Sequence, residues 1–218
     1  MPQARGWRTW FARRLAAGFV CLCLWLAVGM GAAGSAGAQM FYPAGPYIHP
    51  ESQLVFPDSL GGIPRVSAYD YEPQNPGLGV SIKYAIETPR IFADVYVFKQ
   101  GLLRIPEGVD DPAVQRMFDS AVADIHTMGA VGRYADVNLI ATDSITLGEA
   151  PGARRALRAR FAYNLAEGPV YSHVYALAVH NHFVKLRFTY RKDQGEEAVR
   201  LLAGFLEGLG AVVGPNLQ

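Results

Sequence analysis

The chain has 218 residues, 50% of them hydrophobic and 18% charged, with 20 Lys and Arg against 19 Asp and Glu. Both cysteines (Cys21, Cys23) and all three tryptophans (Trp7, Trp10, Trp25) lie in the first 38 residues, so the remainder offers no thiol for catalysis or for a disulfide. Arg5, Arg8, Arg13 and Arg14 lie there too, and without them 16 basic residues face 19 acidic ones, a net charge of −3 that argues against a nucleic-acid partner.

The beginning of the chain has the pattern of a secretory signal peptide. Four arginines precede an apolar run from Leu15 to Met30, and a small-residue tract follows from Gly31 to Ala38. Ala36-Gly37-Ala38 suits a signal peptidase, which predicts a mature protein beginning at Gln39 in the periplasm or outside the cell. The alternative is an uncleaved anchor, but the apolar run of sixteen residues is shorter than the ~20 that span a bilayer. Val20 and Leu22, which precede the two cysteines, do not make a lipoprotein box, and Arg13-Arg14 matches a twin-arginine signal only loosely. No transmembrane segment is expected after cleavage. The division expected is residues 1–38 as leader, 39–64 as an extended arm and 65–218 as a single domain, about the size that buries roughly 70% of its extended-chain surface.

Five prolines between residues 43 and 64 forbid regular helix in the arm, and Phe41, Tyr42, Tyr47 and Phe56 predict that it packs partly on the domain. Strands are expected over 66–71, 78–86 and 91–98, the second half-buried because Leu78, Val80, Ile82, Tyr84 and Ile86 alternate with small or polar residues. Asp111-Pro112 opens a helix to about Met128, with Gly129 as its stop and Arg116, Asp119 and Asp124 facing water. Four strands follow, over 137–147, 153–165, 170–179 and 183–191, the last two joined by a turn at His180-Asn181-His182. Asp193-x-x-Glu196 predicts a capping box for a final helix that turns Val199, Leu202, Phe205, Leu206 and Leu209 to the sheet and ends at Gly210. Hairpin-length turns make the sheet antiparallel, so the expected fold is α+β: six or seven strands packed with two helices.

The run Gly79-Val80-Ser81-Ile82-Lys83-Tyr84, the strand Asp94 to Phe98, the helix after it and the strand Phe183 to Tyr190 resemble the PsbP-like α/β sandwich and its exported bacterial relatives. The resemblance spans about Val66 to Val213 and rests on element order and strand character. It implies an accessory protein, without enzymatic activity, that helps assemblies form or binds cofactors; it transfers no site residue.

Chemistry is sparse. His180 and His182 share a face in an extended segment, and with His173 they form the one metal-ligand set the pattern suggests, for a metal-assisted hydrolase; an exposed hairpin turn explains them better. Ser81 lacks the strained Gly-x-Ser-x-Gly setting of a nucleophile. Gly77-Leu78-Gly79 precedes a strand where a dinucleotide loop must open a helix, and the pairs Asp110-Asp111 and Glu196-Glu197 sit at helix starts, where the dipole favours them. What remains is cationic: Arg154, Arg158 and Arg160 on one strand, Lys185, Arg187 and Arg191 on another. If the strands adjoin, these rows make a basic face for an envelope protein or an anionic envelope component; with acidic neighbours they make a solvated sheet face. The expected function is therefore a binding or accessory role in the cell envelope, with no cofactor.

Overall fold

The computed structural model describes residues 38–88 and 90–214; apart from Ala38, the expected leader lies outside the described residues. After short strands β1 (Gln39–Phe41), β2 (Tyr47–Ile48), β3 (Val55–Phe56) and β4 (Ser59–Leu60), the chain makes the meander β5 (Ile63–Asp70), β6 (Val80–Ile86) and β7 (Ile91–Phe98). Helix α1 (Pro112–Ala130) then leads to a second meander, β8 (Ala135–Leu147), β9 (Arg154–Leu165), β10 (Gly168–Val179) and β11 (His182–Arg191), and helix α2 (Gly195–Val213) ends it. The two meanders meet where β7 pairs antiparallel with β11, giving the order β1-β5-β6-β7-β11-β10-β9-β8 with β4 on β5. The architecture is the expected α+β sheet with two helices. Its sheet has nine strands rather than six or seven, because the arm itself pairs: β1 and β4 bond β5, and β2 and β3 form a separate ribbon.

Alternation divides the sheet into two cores. On its first face Ile82, Tyr84, Val95, Leu186 and Phe188 pack beneath α2, joined by Leu54, Phe56 and Leu60 of the arm. On its second face Ala159, Phe161, Val174, Ala176 and Phe183 pack beneath the α1 stripe of Val114, Met117, Phe118, Ala121 and Ile125. The two helices thus lie on opposite faces. Asp111 caps α1 as expected, accepting from the Ala113 amide at 2.8 Å with Pro112 at the first helical position.

Several expectations fail for identifiable reasons. Gly129 and Gly210 lie inside their helices, not at the ends. A Cβ on Gly210 would stand 2.3 Å from the Gly148 nitrogen, and one on Gly129 would stand 2.8 Å from Val137, so both glycines permit close approach. The capping box of α2 does not form; Gln194 is the cap residue, and the Asp193 carboxylate instead bonds Arg191 at 3.1 and 2.9 Å. Val199 faces solvent. Strand β6 is buried on both faces, since Tyr69 and Asp94 cover Lys83 on the side expected to be open.

Candidate functional site

The two cationic rows do not form one basic face. Cross-strand register puts Arg158 opposite Tyr175, and Tyr175 opposite Leu186, all on the first face; Arg187 stands opposite Val174 and Asp94 on the second. A sheet separates the rows.

On the first face each arginine lies within ion-pair range of an acid, although the buried Nε of Arg160 has no hydrogen-bond partner among the described residues. Arg158 makes a two-pronged contact with Asp143, both bonds 2.7 Å, and Arg160 stands 3.9 Å from the same carboxylate. Arg154 lies 3.5 Å from Glu107 and reaches the Val213 carbonyl. Contact with Arg158 holds the Asp143 carboxyl below its ordinary range. Beside this row the ring of His173 lies between Tyr175 and Tyr190, and burial, reinforced by Arg158 and Arg160, lowers it to about 4.

The second-face row is different. Helix α1 covers β8 and β10, and its core takes in Phe98 of β7 with Tyr96 packed against it, while Phe92 and Asp94 on the same face of β7 stay partly exposed and the first-face residues Ile91, Ala93, Val95 and Val97 are buried. Lys185 and Arg187 lie at this border. The Lys185 ammonium sits 4.5 Å from the centre of the Tyr96 ring and 5.7 Å from that of Phe98. Arg187 spends Nη2 on the hydroxyls of Tyr134, at 3.0 Å, and Tyr163, at 2.9 Å, whose rings stack 4.4 Å apart, and its Nε approaches Ser172 at 3.4 Å. Among the described residues neither cation forms an ion pair with a carboxylate. The nearby acids are Asp94, paired with Lys83 at 3.2 Å, and Asp124 of α1.

Burial sets the electrostatics here. It lowers Lys185 to about 8, with Asp124 opposing and Arg187 assisting. For Arg187 burial works against the charge, but Tyr163 and Tyr134 outweigh it and hold the guanidinium charged. Asp124 is pushed up by burial, with Lys185 and Arg187 pulling the other way. Contrary to the expectation that it faces water, Asp124 sits half-buried on the edge of α1 that meets the cations.

The histidines of the expected metal set do not converge. His173 is on the first face of mid-β10, whereas His180 lies in the turn at its far end and the buried His182 opens β11. Among the described residues no three His, Cys, Asp or Glu side chains are grouped to hold a metal ion. His180 and Asn181 take positive φ, 48° and 61°, as a two-residue hairpin turn requires. Asn181 also clamps the preceding loop, accepting from the Ile105 amide at 2.7 Å and donating to the Leu103 carbonyl at 3.2 Å.

The sequence gives no hint that His49 of the arm docks here. It is 6% exposed, its ring lies edge-on to His182 with centroids 5.0 Å apart, and the Ser52 amide donates to its Nδ1 at 3.1 Å. Glu51 bridges Lys99 at 2.6 Å and lies 3.6 Å from His182 Nε2. Burial, then the neighbouring His182, lowers His49 to about 4; burial also lowers His182. The cluster keeps both rings neutral and fastens the arm.

No family model matches the chain, and no curated protein does. Among solved structures, the solution structure of cyanobacterial PsbP (CyanoP) from Synechocystis sp. PCC 6803 is similar, with a TM-score of 0.45 and 12% identity over 83% of this chain and 96% of that one. That likeness transfers no residue role or activity to this chain. No helix of the described residues is long and apolar enough to cross a membrane.

Proposed function

We propose that this is an exported accessory protein of the cell envelope that acts by binding an anionic component, without catalysis. The observation that carries the reading is the unmatched pair Lys185 and Arg187, two cations at the border of α1 with aromatic rings and hydroxyls for neighbours and no ion pair among the described residues. Holding a partly buried cation against rings costs solvation, and an arriving anion recovers that cost; a cation already bound to a carboxylate has less to gain. The leader pattern supplies the compartment.

Expression of the full chain followed by intact-mass measurement of the envelope fraction should find a protein beginning at Gln39. That protein should associate with envelope material at low salt and be released as the screening length falls to about 10 Å near 0.1 M salt. Lys185→Glu with Arg187→Glu should abolish the association, and Arg158→Glu with Arg160→Glu should weaken it far less. Equal loss from both pairs, or none from the first, overturns the reading.

A further inference from the structure

Around Lys185 and Arg187 the hydrogen-bonding capacity left unused is almost entirely that of donors. The Lys185 ammonium, with three N–H groups, lies over the rings of Tyr96 and Phe98 and makes no hydrogen bond or ion pair among the described residues. Arg187 commits Nη2 and directs Nε toward Ser172, while Nη1 makes no hydrogen bond among the described residues. Tyr134 and Tyr163 accept from Arg187 through their oxygens, so their own hydroxyl protons remain to be given. Of the acids in range, Asp94 is engaged with Lys83, and Asp124 reaches the cations from the edge of α1 without forming an ion pair. An ammonium, one end of a guanidinium, the phenol of the partly exposed Tyr134 and that of the buried Tyr163 form a receptor that lacks an acceptor.

Resting on the binding reading above, we infer that Lys185, Arg187, Tyr134 and Tyr163 together receive one carboxylate group of an organic acid whose apolar body lies against Tyr96. The charge count favours a monoanion: two cations opposed by Asp124 leave one positive charge, which a carboxylate neutralises and a phosphate dianion exceeds. Lys and Arg donors to a carboxylate make the stronger class of hydrogen bond, and a ring whose face already carries an ammonium leaves its remaining surface to an apolar body.

Calorimetric titration of the full-chain protein with benzoate, acetate and inorganic phosphate at constant ionic strength tests this. Benzoate should bind saturably with one site per chain, more tightly than acetate or phosphate. Lys185→Met, which keeps the stem and removes the ammonium, should weaken benzoate by about tenfold or more, and Tyr134→Phe, which keeps the ring, by about threefold. Melting curves establish that both variants are folded, and the milder Tyr134→Phe keeps the test open if Lys185→Met fails to fold. Absence of saturable benzoate binding up to ~10 mM, a level weaker than any useful carboxylate site, overturns the inference. So does binding that neither variant changes. Preference for phosphate overturns the carboxylate assignment, and equal affinity for acetate and benzoate overturns the contact with Tyr96. If benzoate fails to bind while Lys185→Glu with Arg187→Glu still abolishes envelope association, the ligand class is wrong and the binding reading survives; benzoate binding without any envelope association has the reverse meaning.

Discussion

Two pairs of cations, Arg158 with Arg160 on the first face of the sheet and Lys185 with Arg187 on the second, are handled in opposite ways. On the first face Arg158 and Arg160 share Asp143, and α2 and the arm close most of the remaining surface. On the second face the α1 core takes in Phe98 of β7 but leaves Phe92 and Asp94 of that strand partly exposed, and Lys185 and Arg187 stand at this border with rings and phenols around them. The same alternation of basic and apolar residues produced both rows. What separates them is the strand across the way: β8 brings an aspartate opposite Arg158, while the aspartate opposite Arg187 on β7 is engaged with Lys83. A charged row read from one strand says little until its cross-strand partners are known.

The largest effect should come from the first face. Phe205 of α2 is fully buried, edge-on to both Tyr84 and Phe188, and Phe205→Ala should cost about 3–5 kcal/mol in denaturant unfolding. A loss under 1 kcal/mol would mean that α2 does not close this face as described.

Acid should act next, through His49. Its folded pKa of about 4 lies below the ordinary 6.5, so the unfolded chain takes up the proton more readily between those values. The stability it contributes is fully present above pH 6.5 and is lost as pH falls toward 4, by an amount on the order of 3 kcal/mol. His49→Gln should flatten that part of the stability profile. His173, also lowered to about 4, should add to the same decline from the first face.

Lys185→Met should sharpen the contrast by moving stability the other way. Burial lowers the Lys185 ammonium to about 8, so at neutral pH the folded protein holds a charge that it disfavours, and replacing it should stabilise by about 1 kcal/mol while reducing binding. In the parent protein stability should correspondingly rise between pH 8 and 10.5, where the unfolded chain retains the proton longer. Smallest of all, Asp143→Ala should cost up to about 1 kcal/mol, as partly exposed pairs do, and should leave the second face unaffected.

Much of the fold is legible in the sequence because alternation is local. Strand β7 is predicted end to end, and β9, β10 and β11 to within two residues, since each alternates or runs apolar between turn residues. Glycines mislead for a physical reason. Gly129 and Gly210 carry the composition of a helix stop, yet what they provide is room for Val137 and Gly148, neighbours that only the folded chain supplies. Lys185 and Arg187 are visible as a basic row, but their separation from Arg158 and Arg160 depends on register between strands. The docking of His49 on His182 joins residues 133 positions apart in the numbering, beyond the reach of any local pattern.

The most direct measurement is NMR mapping of benzoate titrated into the folded protein, observing the tyrosine rings and the Lys185 and Arg187 side chains together with Arg158 and His173. Saturable shifts confined to Lys185, Arg187, Tyr96, Tyr134 and Tyr163 are predicted, with the first-face signals unmoved. Shifts centred on Arg158 and His173, or none at either face, would contradict the claim that the unmatched cations are where this protein binds.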